Sequence, residues 1–132
     1  MKINDYILQF YNEISYTNDP NIIHRHIQDK LCLLASNFGL TAIKEYRCDY
    51  YRNGNSNITK GRIDIVWIDD KSNIIFACEI DSHVRAKSYR KQDTINSKYK
   101  LWFYFGEECD KFYNTNKRHN ISNSIKVLTV KF

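Results

Sequence analysis

The chain has 132 residues, of which four are glycine and one is proline, and its formal net charge is +5 at pH 7. This length fits one domain with a moderate core, and the composition excludes a collagen-like or low-complexity chain. No apolar run approaches the roughly 18 residues that cross a bilayer, so we expect no membrane partner. The basic charge favours nucleic acid or another polyanion as the partner.

The cysteines indicate the compartment in which the chain works. They are Cys32, Cys48, Cys78 and Cys109, and no two of them form a C-x-x-C pair. Their wide spacing argues against a zinc knuckle. The first residues, MKINDYILQFYNE, are interrupted by polar side chains and do not form a signal peptide. We therefore predict a cytoplasmic protein in a reducing, intracellular environment.

Two helices are predicted before the first strand. Apolar residues at helical spacing predict an amphipathic helix over 4–16. Asp19 suits the N-cap of a second helix, Pro20 suits its first position, and Gly39 suits its C-cap. The apolar stripe of this second helix consists of Ile23, Ile27, Leu31, Leu34 and Phe38.

Strands follow the second helix. TAIKEYRCDYY over 41–51 alternates weakly, whereas RIDIVWI over 62–68 and IIFACEI over 74–80 are strongly apolar. A helix is predicted over about 83–97, and the strand KLWFYFG over 100–106 comes after it. Because this helix joins them, the strands over 74–80 and 100–106 should be parallel. Residues 107–118 are predicted to be helical or irregular, and SIKVLTVKF contains a last strand.

This order predicts a single α/β domain over 1–132. Its central sheet should be mixed, with a three-strand meander, a crossover helix and a parallel strand, and helices should flank the sheet.

Acidic side chains interrupt the two strongest strands. Alternation puts Glu79 and Asp81 on one face of the strand over 74–81. It puts Asp64 on the face opposite Ile63, Ile65 and Trp67. If the two strands pair through their connecting turn, the three carboxylates lie side by side. Glu45 on the preceding strand is a candidate fourth acid.

Carboxylates this close repel one another, and a divalent cation removes the conflict. Mg²⁺ or Mn²⁺ prefers oxygen ligands and keeps several waters, so two or three carboxylates suffice. Such an ion activates water for phosphate hydrolysis. The alternative is a structural ion network, whose cations would be Arg62, Lys60, Arg85 and Lys87.

GRIDIVW and CEID resemble the signature of the PD-(D/E)xK nuclease superfamily, which has the restriction-endonuclease-like fold. That signature is an acid on the second strand, here Asp64, and an acid-x-lysine on the third, here Glu79-x-Asp81. The resemblance covers about 21–106, with the first helix and the last strand as additions. It implies a metal-dependent endonuclease that acts on DNA, with these three acids as catalytic residues and metal ligands. Many members dimerise to cut two strands, so the resemblance is compatible with a homodimer.

The sequence departs from the signature at Asp81, where the superfamily usually has lysine. Some members carry an acid there and remain active, and others move the lysine onto the following helix. Lys87 is then the candidate, and the implied role is to orient water or stabilise charge on the phosphate. A solvated Lys87 is an equal alternative, and lost activity would leave a catalytically inactive nucleic-acid-binding module. For the further acid that members often add, Glu45 and Asp29 are candidates, and a structural salt bridge suits either equally.

Basic residues flank the acids on both sides along the chain. The loop YYRNGNSNITKGR leads directly into Asp64, and the helix RAKSYRKQDTINSKYK follows Asp81. Both stretches suit contacts with a phosphate backbone, although an ordinary hairpin loop and a solvated helix face are the alternatives. The predicted nucleic-acid contacts are Arg52, Lys60, Arg62, Arg85 and Lys91. One predicted helix side carries Lys87, Arg90, Lys91 and Lys98, while Val84, Ser88, Ile95 and Tyr99 are predicted to face the sheet.

Overall fold

A computed structural model of the chain describes residues 19–51, 58–82, 86–105 and 125–129. The predicted helix over 4–16 and the segment 107–118 lie outside these ranges. The elements in chain order are helix α1 (Pro20–Ala35), a 3₁₀ turn (Ser36–Phe38), strands β1 (Thr41–Tyr51), β2 (Ile58–Ile68) and β3 (Ile74–Asp81), helix α2 (Ala86–Thr94), and strands β4 (Tyr99–Tyr104) and β5 (Ile125–Thr129). None of the described helices is long and apolar enough to cross a membrane.

The strands form one mixed sheet in the order β1-β2-β3-β4-β5. The first three are antiparallel neighbours, which makes them a meander. β4 is parallel to β3, and β5 is parallel to β4. The predicted α/β class, the meander and the parallel pairing across the crossover helix α2 are therefore confirmed.

Local sequence sets both ends of α1. The Asp19 side chain accepts a hydrogen bond of 2.9 Å from the Asn21 backbone N–H, and Pro20 occupies the first turn, where its missing N–H costs nothing. After Ala35 the helix tightens into the 3₁₀ turn, and Gly39 ends it with a left-handed φ of 69°. The predicted N-cap is confirmed, whereas Gly39 caps the 3₁₀ turn and Ser36 is the C-cap of α1 itself.

Each face of the sheet carries its own apolar cluster. On the α1 face, Ile23, Ile27 and Leu31 pack with core residues of β2, β3 and β4. The second cluster has Ile63, Val66 and Ala77 at its centre, with Ile95 packed against it. The prediction that Ile63 shares a face with Ile65 and Trp67 is wrong, because those two belong to the α1 cluster.

A local distortion of the sheet explains this reversal. Tyr46 pairs with Ile63 and Lys44 pairs with Ile65, but no register pair joins Glu45 to Asp64 between them. Glu45 has a φ of 52°, in the left-handed region that residues other than glycine rarely adopt. Strand alternation is therefore interrupted at this point, and Asp64 lies where the two faces exchange.

Candidate active site

The three predicted acids line a single cleft. Asp64, Glu79 and Asp81 lie together where β2 and β3 meet the first turn of α1. The cleft has a volume of about 220 Å³, and its wall also includes His24 from α1 and Lys91 from α2. The strand meander thus brings together residues that stand up to 67 positions apart in the chain (from 24 to 91).

Asp64 is held by both of its carboxylate oxygens. Its Oδ2 accepts a 2.7 Å hydrogen bond from the Ile80 backbone N–H, which ties the side chain to β3. Its Oδ1 lies 3.1 Å from Nε2 of His24. The hydrogen bond with Asp64 raises the pKa of His24, and this effect outweighs the burial that lowers it. The backbone carbonyl of Asp64 accepts a hydrogen bond of 2.7 Å from Nε2 of Gln28, and this bond stabilises the distorted strand.

Glu79 pairs with a lysine from the crossover helix. Only 2 % of Glu79 is exposed, and its Oε1 lies 2.9 Å from Nζ of Lys91. Burial, reinforced by the charge of Asp64, raises the pKa of Glu79 well above its usual value, although Lys91 opposes this shift. Burial lowers the pKa of Lys91, but the charges of Glu79, Asp64 and Asp81 together outweigh burial and raise it. Lys91 therefore remains a cation, next to a carboxylate whose ionised form is disfavoured by burial.

The stem of Lys91 occupies a space that a glycine leaves open. A Cβ on Gly61 would lie 3.0 Å from Cδ of Lys91 and 2.8 Å from Cε1 of Tyr50. Beyond this contact, Nζ of Lys91 donates a hydrogen bond of 2.6 Å to the Arg62 carbonyl. The ammonium is therefore fixed by Glu79 and a backbone carbonyl, and the stem lies in the space that Gly61 leaves open.

The placement of Lys91 differs from the prediction. The sequence predicts Lys91 on a basic helix side that contacts nucleic acid, but only 7 % of Lys91 is exposed. Ser88 was correctly predicted to face the sheet, and Lys91 lies three residues later on the same helix face. Ser88, Lys91, Gln92 and Ile95 follow a helical stripe, so spacing rather than charge carried the correct signal.

Asp81, which stands in place of the expected lysine, is held by neutral donors. Ser88 Oγ and Trp102 Nε1 both donate to its Oδ2, the latter at 2.8 Å. Burial is the main cause of its raised pKa, and the charge of Asp64 adds to it. The other oxygen, Oδ1, receives no hydrogen bond from the part of the chain that the structure describes.

Other predicted residues lie away from the cleft or outside the described chain. Glu45 is exposed, and Nε2 of Gln28, 3.3 Å from its Oε1, connects it to the carbonyl of Asp64. Asp29 is exposed and forms an ion pair with Lys44. Lys87 is in α2 one turn before Lys91, but its side chain lies outside the described part, as do Arg52 and Arg85 entirely.

The hairpin of β1 and β2 carries a basic surface. Lys60 and Arg62, two of the predicted nucleic-acid contacts, are exposed, and Arg47 is the register partner of Arg62. With Asp49 they line a groove of about 500 Å³. Like charges placed directly opposite on a sheet repel each other, so the Arg47 and Arg62 pair favours a polyanion as partner. The sequence prediction missed Arg47.

The cleft suits a hard cation by donor chemistry. Among the described residues, no group of three or more His, Cys, Asp or Glu side chains is already arranged to hold a metal ion. Glu79 and Asp81 nonetheless each keep one carboxylate oxygen that receives no hydrogen bond from the described chain. Burial is the main cause of the raised pKa values of both carboxyl groups, and the charge of Asp64 adds to it, so a cation in the cleft would stabilise their ionised forms. Mg²⁺ keeps most of its waters and needs few protein ligands, so the residues fit such an ion.

Comparison with known proteins adds no relative. No family model matches the chain, and neither a curated protein nor a solved structure is significantly similar to it.

Proposed function

We propose that the chain is a divalent-metal-dependent nuclease of the restriction-endonuclease-like type, which hydrolyses phosphodiester bonds in DNA. One observation carries this proposal. Nζ of Lys91 lies 2.9 Å from Oε1 of Glu79, and Asp64 lines the same cleft from the neighbouring strand. Two acids and a lysine, the residue types of the nuclease signature, therefore lie in one cleft, although α2 rather than position 81 supplies the lysine.

Asp64, Glu79 and Asp81 are the residues that would hold Mg²⁺ or Mn²⁺. When bound, the ion supplies an activated water and polarises the scissile phosphate. Lys91 stays protonated next to Glu79, so its ammonium can stabilise negative charge that develops on the phosphate. Ser88 and Trp102 orient Asp81 by donating to one oxygen and leave the other for the cleft.

The basic hairpin supports a nucleic-acid substrate. Arg47, Lys60 and Arg62 present exposed cations on the strands that lead into the cleft. Such side chains position a phosphate backbone without reading its sequence. We propose that they guide the strand to be cut toward Asp64.

Cleavage of plasmid and oligonucleotide DNA with Mg²⁺ or Mn²⁺ tests the proposal. Asp64→Asn and Glu79→Gln, which remove charge at nearly constant shape, should lower the cleavage rate by at least about a hundredfold. Asp70→Asn, the same change at an exposed turn residue, is the matched control and should cleave normally.

Two results would overturn the assignment. Cleavage that survives both site substitutions would remove Asp64 and Glu79 from the site. Salt-sensitive DNA binding that no divalent ion converts into cleavage would instead identify an inactive nucleic-acid-binding module.

A further inference from the structure

The two acid–base pairs of the cleft differ in how open they are. Only 9 % of the Lys91 side chain and 3 % of the Glu79 side chain are exposed. The corresponding values are 30 % for His24 and 15 % for Asp64. A hydrated ion entering the cleft therefore reaches the second pair without displacing a buried lysine.

The second pair also has the spacing of two neighbouring metal ligands. In an octahedral site with bonds of about 2.1 Å, adjacent ligand atoms are about 3 Å apart. Oδ1 of Asp64 and Nε2 of His24 are 3.1 Å apart. Oδ2 of Asp64 is anchored by the Ile80 N–H at 2.7 Å, which leaves Oδ1 as the oxygen facing His24.

We propose that His24 is a nitrogen ligand of the cation: binding releases the proton that Nε2 of His24 shares with Oδ1 of Asp64, and the two atoms then form a mixed pair that selects Mn²⁺ over Mg²⁺. This inference rests on the proposed metal-dependent function and adds a ligand that neither the acidic signature nor the sequence prediction contained. Mg²⁺ is served best by oxygen alone, whereas imidazole favours transition metals. The expected preference for Mn²⁺ in the wild-type chain is at least about tenfold in dissociation constant.

Exchanging the donor atom at position 24 tests the preference. His24→Asp replaces the nitrogen by oxygen and should reduce the Mn²⁺ over Mg²⁺ preference to within about threefold. His24→Gln should weaken Mn²⁺ binding by about tenfold or more. His26→Gln, two residues further along the same helix and outside the lining of the cleft, is the matched control and should bind both ions as the wild type does.

Direct detection of the nitrogen makes the test independent of cleavage. Electron spin-echo envelope modulation of Mn²⁺ bound to the wild-type chain should show a coordinated imidazole nitrogen. The signal should disappear in His24→Gln and persist in His26→Gln. This measurement on the wild type also keeps the inference testable if a His24 variant does not fold.

The outcomes separate this inference from the proposed function. Mn²⁺ that binds, depends on Asp64 and shows no nitrogen signal would overturn the role of His24 and leave the nuclease proposal standing. A nitrogen signal from His24 in a chain that never cleaves DNA would support the ligand and overturn the nuclease. Mn²⁺ that does not bind at all would overturn both.

Discussion

Two pairs of a basic side chain and a carboxylate lie in the cleft, in different surroundings. They are the Lys91–Glu79 pair and the His24–Asp64 pair. The first pair is almost fully buried between α2 and the sheet, and the second is open at the first turn of α1. Burial makes the first pair sensitive to the packing of its neighbours. Openness makes the second pair accessible to ions and substrate. One cleft thus combines a buried charge pair with a more accessible one.

Lys91→Met should cause the largest loss at the buried pair. It leaves Glu79 without its cation, and breaking a buried pair costs about 3–5 kcal/mol of unfolding free energy. Cleavage should fall by about a hundredfold or more, because the charge that faces the phosphate is gone. Lys98→Met removes an exposed lysine and should change neither quantity appreciably. Full cleavage by Lys91→Met would contradict the assigned role.

The stability deficit of Lys91→Met should depend on pH. Burial raises the pKa of Glu79 in the folded state above the value of 4.5 expected when unfolded, and removing Lys91 raises it further. Between the unfolded-state and folded-state pKa values of Glu79, the folded state binds one more proton than the unfolded state. The free energy of unfolding therefore falls as pH rises through this range. Urea unfolding should therefore show a smaller deficit at pH 5 than at pH 8, and an equal deficit would indicate that Glu79 is not the cause.

Gly61→Ala should disturb the buried pair less severely, by crowding its neighbours. The new methyl group would lie 2.8 Å from a ring carbon of Tyr50, and overpacking of this kind costs about 1–3 kcal/mol. A displaced Lys91 should also lower the cleavage rate, by up to about a hundredfold for a shift near 1 Å.

Gly39→Ala is the matched control for that change. Gly39 has a left-handed φ of 69° and no atom within 4 Å of a Cβ, so alanine adds strain of about 1 kcal/mol but no crowding. Urea unfolding and cleavage, measured on both variants, should separate lost stability from lost activity. Equal cleavage by the two variants would show that the position of Lys91 is not critical.

Arg62→Gln should have the smallest effect on the fold and act on binding alone. Lys91 bonds to the carbonyl of Arg62 and not to its side chain, so the buried pair should survive. Removing one of two opposed arginines should leave stability unchanged or slightly higher. DNA binding in EDTA should weaken, and the slope of log affinity against log salt should decrease by about 0.9 if one phosphate contact is lost.

The control for Arg62→Gln is Lys71→Gln, in the turn after β2. It removes the same charge at the far end of the strand and should keep the wild-type salt slope. Equal slopes for both variants and the wild type would exclude the hairpin from DNA binding.

Local pattern in the sequence predicted much of this architecture. The Asp19 and Gly39 caps, the three meander strands and the parallel pairing of β3 with β4 follow from residue spacing and from the order of elements. The shared cleft of Asp64, Glu79 and Asp81 was also predicted, since adjacent strands joined by a short turn have few ways to pair.

Tertiary structure alone decided which cation serves the acids and where the strand faces exchange. Helical spacing indicates the face of α2 on which Lys91 lies, but the room for its stem comes from Gly61, 30 positions earlier. The exchange of faces at Asp64 depends on Glu45 and Gln28 from two other elements. Sequence determines which residues are neighbours along an element, whereas contacts between elements depend on shapes and hydrogen bonds that exist only after the chain has folded.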